Sequence, residues 1–220
     1  MFLSETDPAT ATGATADYFA GQRAAWGFLP NYAHCFGLRP EVGIAWGGLN
    51  AAIRDGMDRR RFEIATIAAA RELRSTYCTS AHSKFLRDVC GDDEAVRAIA
   101  EDPTGGGLGE VDRAVFRFAT KVARDASSID AADIEELKDV GLGEVDIADV
   151  VYAVAARSFF TKVLDGLGAQ LDSETAATFE PALGDAMVVG RLPADPVRGD
   201  TVARSGHDGD PLATAGPATR

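Results

Sequence analysis

The sequence predicts an all-α protein, and three observations lead to this fold class. No stretch of the 220 residues alternates apolar and polar side chains as a half-buried strand does. Apolar residues instead recur at helical spacing, and capping residues mark where helices begin and end. These signals predict eight helices, at about residues 14–26, 40–54, 58–74, 76–90, 92–100, 110–126, 131–140 and 144–170.

Local sequence signals support the second, third and fourth predicted helices. Pro40 suits the first turn of the second helix, and Gly56 marks its end. The third helix carries Ile64 and Ile67 at helical spacing. Ser75 and Thr76 then supply N-cap side chains for a new helix.

Similar signals mark helix starts and ends in the second half of the chain. The glycine-rich run at residues 105–109 predicts a flexible connection between helices, because no phosphate-loop Lys-Ser/Thr follows it. Asp130 precedes a helix with Asp133 three residues on, and Gly141 predicts its end. The last long helix carries one stripe of mostly apolar side chains: Ile147, Val150, Val151, Val154, Ser158 and Thr161.

Composition predicts one helical domain with extensions at both ends. The predicted boundaries are an N-terminal extension at 1–13, a helical domain at 14–180 and a disordered tail at 181–220. From Leu192 onward the chain is rich in Pro, Gly, Asp, Arg, Ala and Thr, a composition that lacks the large apolar residues of a core.

Charge and cysteine content exclude several functional classes. A net charge of -12 argues against partners that are nucleic acids or acidic membranes. No signal-peptide pattern or membrane-length apolar run is present, so we expect a cytoplasmic protein. Three Cys and three His at irregular spacing predict neither a disulfide framework nor a metal site, and no other cofactor motif is found.

One segment concentrates the chemically active side chains. Cys78 and His82 are four residues apart, which places them on one helix face with Cβ atoms about 6 Å apart. In the first helical turn, unpaired backbone N–H groups favour a thiolate at Cys78. His82 can accept the thiol proton, Glu63 on the preceding helix can orient His82, and Tyr77 can bridge the two.

These residues resemble the motif of the alkylhydroperoxidase D-like group, which shares its fold with the carboxymuconolactone decarboxylases. The motif is Glu, eleven residues, Cys, two residues, Cys, three residues, His; Glu63, Cys78 and His82 match it, while Ser75 replaces the first Cys. The resemblance covers about residues 15–172. It implies an oligomeric helical bundle, a trimer or a hexamer, in which the second Cys attacks peroxide and Glu and His relay protons.

The replacement of the first Cys by Ser75 leaves the recycling of an oxidised Cys78 open. Cys90 lies about 18 Å along a continuous helix, too far for a disulfide. Cys35 is distant in sequence, and for both residues a buried structural role is favoured. We therefore expect an external small thiol or a redox partner protein. Ser75 itself is expected to cap the helix and to donate a hydrogen bond to the sulfur.

Three functions fit the sequence. The first is a thiol-dependent peroxidase that reduces small hydroperoxides through Cys78, with a His82/Glu63 relay. The second is a decarboxylase or isomerase of lactone acids that uses Glu63 and His82, with an arginine clamping a carboxylate; the candidates are Arg71, Arg74 and Arg157. The third is an oligomeric scaffold or redox sensor in which Cys78 oxidises once.

Overall fold

The computed structural model describes residues 1–195, which form eleven α-helices, one 3₁₀ turn and no strand. The all-α prediction is therefore confirmed. The α-helices are α1 Gly13–Trp26, α2 Asn31–Phe36, α3 Pro40–Gly56, α4 Arg59–Glu72, α5 Thr76–Asp88, α6 Asp93–Glu101, α7 Glu110–Asp125, α8 Ala131–Asp139, α9 Glu144–Leu167, α10 Ser173–Ala176 and α11 Pro181–Ala186.

Local sequence signals explain where several helices begin. The side chains of Asp58, Asp92 and Asp130 each accept a hydrogen bond from a backbone N–H in the first turn of the helix that follows. Asp130 and Asp133 form a reciprocal capping box at the start of α8. Gly168 adopts a left-handed conformation, φ 83°, and ends α9.

Helix α4 lies at the centre of the molecule and contacts α5, α7, α9 and the edge of α3. Ile64 and Ile67 are completely buried, and burial of such a side chain contributes about 1.5–3 kcal/mol. One apolar cluster joins α4 to α6, α7, α8 and α9. A second, aromatic cluster joins α1, α2 and α3 to α5 and α9, and it contains Cys78.

The prediction of a disordered tail from residue 181 is wrong at its start. Pro181–Ala186 is helical, and Leu183 and Met187 are buried against the α4 side of the core. These two apolar residues, four apart, anchor a short helix in a segment whose overall composition suggested disorder. The rest of the predicted tail, residues 196–220, lies outside the described part of the chain.

Residues 187–195, which we name the C-terminal strap, cross the beginning of α5. The backbone N–H groups of Val189 and Gly190 donate to Thr76 Oγ1 at 3.2 and 3.0 Å. Further along, the N–H of Ala194 donates to the carbonyl of Leu171 at 2.9 Å. The strap therefore closes the molecule over the helix that carries the predicted motif.

No helix among residues 1–195 combines the length and the apolar character that a membrane crossing requires.

Candidate active site

The site is built on the turn between α4 and α5. Arg74 adopts a left-handed conformation, φ 59°, which is uncommon for a residue with a side chain. Ser75 follows at the N-cap position, and α5 begins at Thr76. Cys78 is therefore in the first turn, where the positive end of the helix dipole favours negative charge on sulfur.

Two polar side chains of α9 reach the sulfur of Cys78. Cys78 is completely buried, Arg157 Nη1 lies 3.7 Å from its Sγ, and Thr161 Oγ1 lies 3.9 Å from it. Thr161 also donates to the carbonyl of Arg157 at 2.6 Å, so these two residues, one turn apart, form one unit. The sequence alone predicts neither contact with the thiol.

Glu63, His82 and Arg59 form a buried chain of contacts. Glu63 is completely buried; its Oε2 lies 2.5 Å from His82 Nδ1 and its Oε1 accepts from Arg59 Nε at 2.6 Å. A carboxylate can only accept, so the Nδ1 of His82 carries the hydrogen and its Nε2 keeps a lone pair. The structure thus brings together the two predicted relay residues.

Burial controls the protonation of His82. Its pKa falls from 6.5 to about 4, first because burial disfavours the charged imidazole and then because Arg157 is nearby. Glu63 opposes this shift without cancelling it. At neutral pH His82 is therefore a neutral base.

Among residues 1–195, His82 forms no hydrogen bond with Cys78; the contacts of the sulfur are those from α9. The two side chains share a helix face, as the spacing predicts, but they do not touch as donor and acceptor. A proton passing between them needs a bridging molecule.

Tyr77 lies elsewhere than predicted. Its hydroxyl donates to Asp172, whose other carboxylate oxygen accepts from the N–H of Asn31 at 2.6 Å. Tyr77 therefore does not bridge Glu63 and His82, because adjacent helical residues point about 100° apart and Tyr77 faces α2 and α10. Burial raises the pKa of Asp172 to about 6, which the Tyr77 hydrogen bond partly opposes.

Ser75 also departs from its expected role. Its side chain is completely buried, and its hydroxyl interacts with the carboxyl group of Asp165, where it partly opposes the rise in pKa that burial causes. It neither caps α5 nor donates to Cys78. The strap supplies the polar contacts at this helix start instead, through Thr76.

Neither of the other two thiols forms a disulfide with Cys78. All three cysteines are free; Cys35 lies against the sulfur of Met1 at 3.3 Å, and Cys90 follows the end of α5. Burial raises the pKa of Cys35 to about 12 and that of Cys90 to about 11. At neutral pH both are protonated and therefore weak nucleophiles.

Aromatic rings and an amide complete the surroundings of Arg157. Its guanidinium lies 5.6 Å from the ring centre of Trp46 and 5.3 Å from that of Phe160, and these rings stack 4.0 Å apart. Asn50 Oδ1 accepts from its Nη2 at 3.4 Å. Of the three predicted clamp arginines only Arg157 enters the site, since Arg71 and Arg74 donate to carbonyls at residues 186 and 189.

Residues 1–195 contain no group of three or more His, Cys, Asp or Glu side chains arranged to hold a metal ion.

The sequence named Arg157 only as a candidate clamp for a substrate carboxylate, and it assigned no site role to Thr161 or Asp172. Arg157 and Thr161 lie on the buried face of α9, and Asp172 follows that helix. A polar pair four residues apart on a mostly apolar helical stripe was the available signal for the first two. The partner of that pair, about eighty residues away, could be identified only in three dimensions.

Comparison with known proteins gives a structural likeness without a sequence match. Neither a protein-family model nor a curated protein sequence matches the chain. An uncharacterized peroxidase-related protein from Ralstonia eutropha JMP134, with an alkylhydroperoxidase AhpD core, superposes with a TM-score of 0.70 at 20% identity, covering 79% of this chain and 93% of that one. A peroxidase-related protein from Silicibacter sp. TM1040 gives 0.67 at 20%, covering 78% and 93%.

The debrominase Bmp8 has a similar structure. A cysteine-to-alanine variant of it, in complex with 2,3,4-tribromopyrrole, superposes with a TM-score of 0.67 at 19% identity, covering 84% of this chain and 97% of that one. The same fold is therefore found in peroxidase-related proteins and in a debrominase. The chain has the all-helical fold of the alkylhydroperoxidase AhpD core.

Proposed function

We propose that this protein is a thiol-dependent peroxidase in which Cys78 reduces a small hydroperoxide. The observation that carries the proposal is the position of Cys78, at the start of α5 and one turn before His82, which pairs with the buried Glu63. Such a pair can exchange a proton with a bound substrate. The likeness to two peroxidase-related proteins supports the same chemistry.

The first step oxidises the sulfur. The thiolate of Cys78 attacks the distal oxygen of the hydroperoxide, the O–O bond breaks, and its electron pair leaves with the alkoxide. His82 accepts the proton of the hydroperoxide at Nε2 and passes it to the alkoxide. The products are a sulfenate on Cys78, which takes up a proton from solvent to become a sulfenic acid, and an alcohol, or water where the substrate is hydrogen peroxide.

The second step requires a thiol that comes from outside the chain. Ser75 has no sulfur, Cys35 contacts the sulfur of Met1, and Cys90 follows the end of α5. An external thiol attacks the sulfenic sulfur, water leaves, and a mixed disulfide forms. A second thiol then attacks the external sulfur of the mixed disulfide. The Cys78 thiol is released, and the two external thiols are joined as a disulfide. Two thiols are therefore oxidised for each peroxide reduced.

A second candidate function is reductive dehalogenation of an aromatic compound. Two observations favour it: the fold likeness to the debrominase Bmp8, and the position of Cys78 in a cluster that contains Tyr32, Phe36, Trp46 and Phe160. In this reaction a carbon–bromine bond becomes a carbon–hydrogen bond, bromide and a proton are released, and two thiols become a disulfide. The same Cys78 and the same external thiol serve either reaction.

The decisive experiment counts turnovers of the reduced protein. Hydroperoxide consumption is followed with and without a small thiol or a dithiol protein, for the wild type and Cys78→Ser. We expect many turnovers with added thiol, one equivalent without it, and none in Cys78→Ser. The matched control is the double variant Cys35→Ser/Cys90→Ser, which keeps the reacting thiol and should retain activity.

Other outcomes redirect the assignment. A single equivalent consumed even with excess thiol identifies a redox sensor. No consumption of hydroperoxide, together with thiol-dependent bromide release from a brominated pyrrole, identifies a dehalogenase. Full activity in Cys78→Ser contradicts thiol chemistry and favours acid–base catalysis by Glu63 and His82.

The active form is proposed to be a homo-oligomer. Large apolar side chains remain exposed on the outer faces of α3 and α9, among them Ile44, Leu49, Tyr152 and Phe159. We propose that these exposed side chains pack against a second copy of the chain. These are the same two helices whose inner faces carry Trp46, Asn50, Arg157 and Thr161.

A further inference from the structure

Arg157 is a buried cation without a buried carboxylate partner. Its exposure is 2%, and no Asp or Glu in residues 1–195 forms an ion pair with it. An isolated buried charge costs several kcal/mol in effective solvation. The structure must therefore offset this charge in another way.

The neutral neighbours of Arg157 do not supply negative charge. Asn50 contributes an amide oxygen, and Trp46 and Phe160 contribute the faces of aromatic rings. Amide dipoles and ring faces attract a cation, but neither carries a net charge. The Nε of Arg157 also lacks a hydrogen-bond partner within the described chain.

The nearby carboxylate, Glu63, is already paired with other side chains. Glu63 contacts both Arg59 and His82, so one positive charge already balances it. His82 is neutral, because burial holds its pKa near 4. The remaining ionisable group within hydrogen-bonding distance of Arg157 is the thiol of Cys78, at 3.7 Å from Nη1.

We infer that Arg157 is the cation that holds Cys78 as a thiolate in the resting protein, and that His82 acts only later, when its Nε2 passes the proton of the hydroperoxide to the departing oxygen. This inference rests on the proposed function, in which Cys78 is the reacting thiol. When Cys78 ionises, its proton passes to solvent, and the buried positive charge of Arg157 acquires a buried negative partner. Thr161 lies beside the same sulfur, with its Oγ1 3.9 Å from Sγ, while its hydroxyl donates to the backbone carbonyl of Arg157.

The inference makes Arg157 a catalytic residue that the sequence motif does not contain. In the motif the relay residues are Glu and His, on α4 and α5, whereas Arg157 comes from α9. The assignment divides the work between two groups: Arg157 stabilises the anionic sulfur, and His82 moves the proton.

The test measures thiolate directly, on reduced protein without substrate. Thiolate absorbance near 240 nm is recorded at neutral pH for the wild type, Arg157→Met and Arg157→Lys, and the Cys78→Ser spectrum is subtracted. We expect a thiolate signal in the wild type. In Arg157→Met the ratio of thiolate to thiol should fall at least about tenfold, since an adjacent opposite charge typically changes it by that much or more. Arg157→Lys should keep most of the signal.

Arg71→Met is the matched control, because it removes a partly buried arginine whose contact is the carbonyl of Ala186, away from the sulfur. It should leave the signal unchanged. Where Arg157→Met does not fold, as judged by its helical circular dichroism, Arg157→Gln replaces it as the neutral variant.

The inference is overturned when the wild type has no thiolate signal, when the neutral variant keeps it, or when Arg157→Lys loses it as fully as the neutral variant. None of these outcomes depends on which substrate the protein reduces. A protein that shows the expected thiolate but consumes no hydroperoxide would contradict the proposed function alone.

Discussion

At the residue scale, His82 is a neutral imidazole at neutral pH rather than a cation. Glu63 fixes the orientation of its ring through Nδ1. Burial lowers the pKa of His82 from 6.5 to about 4, so the ring stays neutral at any pH above this value. A carboxylate beside a histidine usually raises the pKa of the histidine. Here desolvation and the nearby Arg157 outweigh that carboxylate.

The pH dependence of activity follows from this shift. Proton acceptance by His82 requires the neutral form, which is present above its folded pKa of about 4 and lost below it. We expect the acid limb of kcat/KM to have its midpoint near pH 4, provided that the enzyme is still folded. The measurement is a pH–rate profile under steady-state conditions with circular dichroism recorded at each pH.

The same shift acts on stability. Because the pKa of His82 is lower in the folded state, its contribution is present above about pH 6.5 and is lost as the pH falls through about 4. Asp172 has the opposite sign: its pKa is raised to about 6, so its contribution is present below the ordinary carboxyl pKa and lost as the pH rises through 6. An acid limb centred near 6.5 in a fully folded protein would contradict this account of His82.

At the element scale, the long helices could be predicted from sequence and the short ones could not. A helix such as α9 repeats its apolar residues over several turns, whereas α2, α10 and α11 have four to six residues and no measurable period. The Glu63–His82 contact also followed from sequence, because α4 and α5 are adjacent in the chain and pack together. The contacts from α9 and Asp172 to the site depend on how distant segments fold back, which no local signal determines.

The C-terminal strap is the element whose fit is tightest. An added Cβ at Gly190 would lie 1.8 Å from the carbonyl oxygen of Arg74, so the backbone itself blocks any larger residue. Gly190→Ala should therefore displace the strap and weaken its hydrogen bonds to Thr76. We expect a loss of about 1–3 kcal/mol in the free energy of unfolding and faster labelling of Cys78 by a thiol reagent.

Labelling is best measured in a Cys35→Ser/Cys90→Ser background, in which Cys78 is the remaining thiol. Gly166→Ala is the matched control, because an added Cβ there meets no atom within 4 Å. Alanine in that helix position should be neutral or stabilising by about 0.5–1 kcal/mol. Equal labelling rates in the two glycine variants would show that the strap does not protect the thiol.

At the scale of the whole molecule, the outer faces of α3 and α9 are unusually apolar for a chain with a net charge of -12. Val145, Tyr152 and Phe159 are seven residues apart on α9, so they lie along one face, and all three are exposed. Exposed apolar side chains that line up in this way are typical of protein interfaces.

The oligomer proposal can be tested by placing charge on this face. Tyr152→Glu/Phe159→Glu should give a particle of lower mass in light scattering coupled to size exclusion, because a buried carboxylate without a partner opposes association. Val111→Glu, at an exposed apolar position on α7, is the control and should leave the mass unchanged. A wild-type protein that is already monomeric would contradict the proposal.

The complete burial of Cys78 makes its oxidation a measure of how often the protein opens. No reagent reaches a sulfur that has no exposed surface, so each reaction waits for a local fluctuation, as amide hydrogen exchange does. When reclosing is faster than reaction, the observed rate is the rate for an exposed thiol divided by a protection factor. The thiol then reports the local free energy of opening, and any bound molecule that steadies α5 or the strap would register as slower oxidation.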